Sequence, residues 1–350
     1  MNRPLRTPGD FLAAGLVSPE RLPDLERVAS RYAVQITPAI ADLVDPADPA
    51  DPIGRQFVPD PAELDRRPEE LADPIGDDAH SPVEGLVHRY PDRVLLKPVH
   101  VCAVYCRFCF RRETVGPGKA EALSPEALAR ALNYIRATPA IWEVILSGGD
   151  PLVLSPRRLR GIMDALAAID HVKVVRVHTR VPVVDPGRVT PALVDALRSG
   201  ERAVWVVLHA NHAREMTPGA RSACGRLVEA GIPLLSQSVL LRGVNDDPDS
   251  LQHLMRAFVE SRVKPYYLHH ADLAPGTSAF RTTIAAGQEL MRGLRGRVSG
   301  LCQPAYVLDI PGGHGKAPIG PCAVRQEGDE IRLTDRHGAE HPYREVLPRD

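Results

Sequence analysis

Lysine is scarce in this chain. Only five of its 43 basic residues are lysine, at positions 97, 119, 173, 264 and 316, and the other 38 are arginine. A lysine in an unusual setting is therefore informative. Neither sign of charge is in excess, since 44 acids oppose the 43 bases for a net charge of −1. That balance argues against a nucleic-acid or acidic-membrane partner. No segment reaches the roughly 18 apolar residues of a membrane helix. The N-terminal "MNRPLRTPGDFLAAGLVSPERL" has no long apolar run and no small-residue cleavage site. The expectation is a cytoplasmic protein without a membrane partner. Cysteines number only six, and disulfides are not expected in that compartment. Clustered thiols then read as metal ligands or redox groups.

With 350 residues and 44% apolar content, the chain suffices for one large α/β domain with extensions or for two ordinary domains. Residues 1–85 read as a helical and irregular N-terminal extension. Within it "SPERLPDLERVASRYAV" has helical spacing after a Ser-Pro start, and "DLVDPADPADPIG" is a connector in which proline blocks helix and sheet. From about 93 a rhythm begins. Apolar runs such as "RVLLKPVHV", "WEVILSGG", "KVVRVHTR", "AVWVVLHAN", "PLLSQSVLL" and "VKPYYLHHAD" alternate with amphipathic helical patterns, several opened by Ser-Pro, Thr-Pro or Asp-Pro. In one of these, Leu159, Ile162, Met163, Leu166 and Ile169 form a single apolar stripe. Continuous hydrophobic strands between such helices predict a parallel sheet covered by helices. Six units predict a barrel or part-barrel with its chemistry at the carboxyl ends of the strands.

The unusual residues fall at those ends. Cys102, Cys106 and Cys109 stand together in "CAVYCRFCFRR" after the first run. A structural zinc site would need a fourth ligand, which His100, Cys224, Cys302 or Cys322 could supply. Three core cysteines meeting by chance is the other plain reading. An iron–sulfur cubane is normally held by four thiolates. With three, one iron keeps a position open for a substrate, as catalytic metal sites do. After the second run stands "ILSGGDP", with Ser147, Gly148, Gly149 and Asp150. Alone it could be an ordinary turn, but two glycines at a strand end let backbone groups approach a ligand closely. Near the C-terminus "YVLDIPGGHGKAPIG" carries Asp309 and Lys316. Its spacing fails that of a phosphate-binding P-loop. It reads either as a flexible loop with a solvated lysine or as a loop that lets an amine reach a carbonyl cofactor.

CxxxCxxC with Phe108 before the last cysteine resembles the radical S-adenosylmethionine superfamily. More specifically, "HRYPDRVLLK", "CRFCFRR", "LSGGDPL", "QSVLLRGVND", "PYYLHHADL" and "VLDIPGGHGK" stand in the order found in lysine 2,3-aminomutases. The likeness runs from about residue 80 to 320. It implies a radical SAM (β/α)6 partial TIM barrel over 86–300 and a C-terminal segment, 301–350, that carries the lysine for pyridoxal 5'-phosphate. It implies an isomerase that uses a [4Fe-4S] cluster, S-adenosyl-L-methionine and pyridoxal phosphate to convert L-lysine to β-lysine. In that family a 5'-deoxyadenosyl radical takes a hydrogen from the β-carbon, and the amino group migrates.

Carried over position by position, the resemblance gives Cys102, Cys106 and Cys109 the cluster and Lys316 the pyridoxal phosphate. Arg89, Tyr90 and Arg93 hold the cofactor phosphate. Ser147, Gly148, Gly149, Asp150, His209 and Gln237 contact S-adenosylmethionine. Arg111 meets the substrate carboxylate, and Asp272 and Asp309 receive its distal ammonium. A flavodoxin- or ferredoxin-type reductant is implied, and a homo-oligomer is left open. Two departures stand out. The chain lacks the cysteine-rich extension that completes a zinc site in longer members, so no structural zinc is expected. Where the family often has tyrosine after strand six, this chain has His269. A short relative that supplies β-lysine for elongation factor P is the alternative reading, although it usually lacks an acid at the position of Asp309.

Overall fold

The computed structural model describes residues 3–116, 120–328 and 330–346. The predicted strand rhythm appears as a nine-stranded sheet whose spatial order is its sequence order. β1 (Leu86–Tyr90) pairs antiparallel with β2 (Arg93–Val99). From β2 the ladder is parallel through β3 (Glu143–Gly148), β4 (Val174–Thr179), β5 (Ala203–His209), β6 (Leu234–Val239), β7 (Val263–His269) and β8 (Ala305–Ile310). β9 (Gly315–Pro318) turns back antiparallel along β8. Sheet and helices together make a nearly closed part-barrel, as expected. Its two ends, β1 and β9, share no ladder among the described residues. They meet through a side chain instead, the Lys316 N–H donating to Tyr90 Oη at 2.9 Å.

The extension contains four short helices, α1 (Pro8–Ala13), α2 (Leu22–Ala29), α3 (Pro38–Ala41) and α4 (Pro52–Phe57). The outer layer is formed by α5 (Pro125–Ala137), α6 (Pro156–Ala167), α7 (Val181–Val184), α8 (Pro191–Arg198), α9 (Pro218–Glu229), α10 (Pro248–Glu260) and α11 (Ile284–Arg297). Ser124, Ser155, Thr190, Thr217 and Asp247 cap α5, α6, α8, α9 and α10, each side chain accepting a first-turn N–H with proline following. The stripe read from the sequence is buried, with Leu159, Ile162, Met163, Leu166 and Ile169 all in the core. The barrel rhythm continues past residue 300, because α11 leads into β8 as a seventh parallel strand. A small antiparallel sheet, β10 (Val324–Glu327), β11 (Glu330–Thr334) and β12 (Glu340–Tyr343), follows. No helix is long and apolar enough to cross a membrane among the described residues.

Acids of the extension bind arginines of the barrel. Asp51 pairs with Arg214, Glu63 with Arg107 and Arg112, Glu70 with Arg281, and Asp77 with Arg89 and Arg111. Each of these carboxylates is nearly or fully buried, and a buried charge is tolerated only when paired and hydrogen-bonded.

Candidate active site

At the carboxyl ends of the strands the inward-facing residues form three adjoining groups. The first is the cysteine loop after β2. Cys102, Cys106 and Cys109 line one pocket with Tyr105, Arg107 and Arg112. None is in a disulfide. Burial raises all three thiols, Cys109 to about 11, so a cation arriving here must displace protons. Arg180 Nη1 donates to Cys106 Sγ at 3.1 Å. Among the described residues no three His, Cys, Asp or Glu side chains converge as a single metal ion would require. A cubane binds each thiolate at a separate iron, so the donor set of three thiols fits a cluster better than one ion.

Beside it lies the second group. Gly149 sits where an added Cβ would be 2.3 Å from the Val101 carbonyl oxygen, so only glycine allows this loop against the cysteine loop. Gly148 precedes it, and Ser147 is buried below. Asp150 does not point at open space. Its carboxylate accepts from Thr179 Oγ1 at 2.7 Å, the Arg180 N–H at 2.7 Å and the Leu152 N–H at 3.0 Å. It therefore ties β3 to the end of β4. Across the barrel, Gln237 Nε2 lies 3.3 Å from His178 Nδ1. His209 stacks obliquely on Phe108 with centroids 6.0 Å apart. The Nε2 atoms of both His178 and His209 are buried without a partner. Burial holds both imidazoles well below their ordinary range, so each is neutral. Unpartnered buried polar atoms above the cysteine loop fit a polar ligand.

The third group surrounds Lys316. Its Nζ donates to both oxygens of Asp309, at 2.7 and 2.8 Å. His269 Nδ1 lies 3.5 Å from the same carboxylate. Burial pushes Asp309 up, but the His269 hydrogen bond and the Lys316 charge outweigh it and hold the carboxyl well below the usual range. Asp272 behaves oppositely: burial, then the nearby Asp309 charge, raise it to about 7. Arg111 Nη2 donates to Asp77 Oδ2 at 3.0 Å, and Arg89 Nη2 donates to Asp77 Oδ1 at 3.1 Å and to the Ile75 carbonyl at 2.6 Å. Lys97 Nζ stands 3.8 Å from Asp77. Three cations thus share one carboxylate, a surplus that favours an anion. Tyr90 holds the β9 backbone as described. Arg93 bonds Asp92 at 2.6 Å and lies over the Tyr90 ring, 3.9 Å from its centroid. The surplus cations and a lysine on a turn of glycines fit a phosphorylated carbonyl cofactor.

The segment holding Asp77 packs on the glycine loop. Gly76 has φ +69°, and an added Cβ there would lie 2.4 Å from Gly313 N. His80 Nε2 is 3.1 Å from the Gly313 carbonyl oxygen.

Sequence reasoning missed Asp77, Lys97, His178 and Arg180. Lys97 and His178 carried a signal, as a rare residue type and as a polar residue at a strand end. Asp77 carried none, because its partners come from distant segments.

The description "Radical SAM superfamily" belongs to a family model that matches residues 96–255. An L-lysine 2,3-aminomutase of Clostridium subterminale is 44% identical over 89% of this chain and 75% of its own length. One from Acetoanaerobium sticklandii is 42% identical over 94% and 79%. A glutamate 2,3-aminomutase of Clostridioides difficile is 35% identical over 90% and 74%.

Proposed function

Because the chain belongs to the lysine 2,3-aminomutase family of radical S-adenosylmethionine enzymes, and is an isomerase of that kind, we propose that it converts L-lysine to β-lysine. The family brings a [4Fe-4S] cluster, S-adenosylmethionine and pyridoxal phosphate, which together would supply a carbon radical and a carbonyl that binds the substrate's migrating amino group. Cys102, Cys106 and Cys109 hold the cluster. Gly148, Gly149, His209 and Gln237 line the place for S-adenosylmethionine, with Ser147 and Asp150 shaping its floor. Lys316 carries pyridoxal phosphate, and Arg89, Tyr90 and Arg93 face its phosphate.

The observation that carries the choice of lysine is the pair of acids beside Lys316. With Lys316 given over to pyridoxal phosphate, Asp309 is a buried carboxylate short of one cation, with Asp272 next to it. An unpaired buried charge costs several kcal/mol, and the distal ammonium of lysine supplies the missing partner. Arg111, drawn from Asp77, meets the carboxylate at the other end with a planar fork. A distal carboxylate would instead face two acids, so glutamate is refused. The walls of the barrel position the groups and keep water from the radical.

Anaerobic protein reconstituted with iron, sulfide, pyridoxal phosphate and S-adenosylmethionine is given L-lysine, L-arginine or L-glutamate, and the products are identified. β-Lysine from lysine, with glutamate unchanged, is expected. Turnover of glutamate or arginine with lysine left intact would overturn the assignment. Borohydride reduction is expected to fix the pyridoxyl group on the peptide containing Lys316; label on Lys97 or Lys264 would refute that role.

A further inference from the structure

Arg180 stands one residue beyond β4 and is 7% exposed. Nothing in the aminomutase reading gives it a task, yet both of its terminal nitrogens are bonded beside the cysteines, while its buried Nε has no partner among the described residues. Nη1 donates to Cys106 Sγ at 3.1 Å. Nη2 donates to Glu215 and, at 3.4 Å, to Gln56 Oε1. Its backbone N–H is held by Asp150. Phe57 and Phe108 stand beside the guanidinium, with centroids 4.9 and 5.5 Å away.

Glu215 is fully buried and equally fixed. Its Oε1 accepts from the Asn211 N–H at 2.8 Å, the His212 N–H at 3.0 Å and Gln56 Nε2 at 3.3 Å. The Arg180–Glu215 pair would satisfy its charges without Cys106. Its geometry nonetheless aims one charge-assisted donor at a sulfur, and the supporting contacts prevent that donor from turning away. Gln56 lies on α4, so the N-terminal extension takes part in aiming it.

We propose that Arg180 sets the reduction potential of the iron–sulfur cluster by donating to Cys106 Sγ, with Glu215 offsetting part of its charge. The inference rests on the reading of Cys106 as a cluster ligand. Reduction adds one negative charge to the cluster. A hydrogen bond to a ligand sulfur and a nearby cation both favour the more negative state and raise the potential. Arg180 and Glu215 are both buried, so neither effect is screened as it would be at the surface. Glu215 acts in the opposite sense. The two residues therefore make predictions of opposite sign, which a purely architectural pair does not.

The test uses the full chain, reconstituted anaerobically, with iron content and the midpoint potential read by redox titration of the reduced cluster's electron paramagnetic resonance signal. Arg180→Gln is expected to shift the midpoint to more negative values. Arg180→Lys keeps the charge but loses the fork and falls between that variant and wild type. Glu215→Gln is expected to shift it to more positive values. Unchanged midpoints at full iron content, or shifts of one sign in all variants, would overturn the proposal. Should Arg180→Gln fail to retain its cluster, Glu215→Gln and Arg180→Lys decide by the same signs. Cys106→Ala separates the two layers of the argument. If that variant keeps full iron and an unchanged signal, the ligand reading has failed, independently of any shift caused by Arg180.

Discussion

Asp272 and Asp309 face the same lysine yet hold their protons differently, and substrate choice depends on that difference. Asp309 is ionised throughout the working range, whereas Asp272 titrates near 7. Its folded value is raised above the ordinary 3.8. Its contribution to stability is therefore complete below that value and lost as pH rises through about 7 in the free protein. Binding runs the other way. Above about 7 the carboxyl is an anion able to receive an ammonium, so KM for lysine falls as pH rises through that point. Steady-state kinetics against pH check this, and Asp272→Asn is expected to flatten the dependence. Asp309→Asn is expected to lose at least roughly tenfold in kcat/KM for lysine, equivalent to about 1.4 kcal/mol. It should keep its iron content and its borohydride-fixed label on Lys316. Wild-type turnover in that variant would make Asp309 a capping residue of the loop. At this scale the sequence was legible where chemistry is clustered along the chain, as in the cysteines and the glycine loop. The hub at Asp77 was not, since Arg89, Lys97 and Arg111 reach it from separate segments.

Local signals defined the elements unevenly. Five barrel helices announce themselves by a capping side chain followed by proline, and a helix stands at each. α11 was not anticipated, because Gly287, Gly293 and Gly296 dilute its helical pattern. β8, inside the 301–350 segment, extends the sheet beside β7. The glycine loop was legible as a loop, while its seat against residues 73–80 was not. That seat yields a prediction. Gly76→Ala would bring a methyl into the Gly313 backbone from a left-handed conformation. The strain alone is worth about 1 kcal/mol or more. The variant is expected to bind pyridoxal phosphate more weakly, seen as loss of its imine absorbance on dilution, while iron content stays normal. Equal loss of both would mean that the whole fold, and not the loop, had moved.

For the whole molecule, the junction between extension and barrel is built on arginine where lysine would not serve. Glu63 accepts from both Arg107 and Arg112 in the interior. A guanidinium offers several donors in one plane, which two ammonium groups could not match there. Burial raises Glu63, but the two arginines outweigh it and keep the carboxylate ionised. Glu63→Gln leaves two buried cations short of a partner and is expected to cost about 3–5 kcal/mol, measured by chemical denaturation of the ligand-free protein. A change within about 0.5 kcal/mol, typical of surface substitutions, would show that water takes over the role. None of these pairings was readable beforehand, because acids in residues 51–77 find partners scattered from 89 to 281.

The sheet ends at β1 and β9 without a ladder between them among the described residues. Parting any neighbours from β2 to β8 would break a row of backbone bonds. Parting β1 from β9 breaks the hydrogen bond to Tyr90, worth about 1 kcal/mol, and strains the contacts of Gly76 and His80 with Gly313. The flank of the barrel is thus closed there by a side-chain contact, and it is the backbone N–H of Lys316 that makes it.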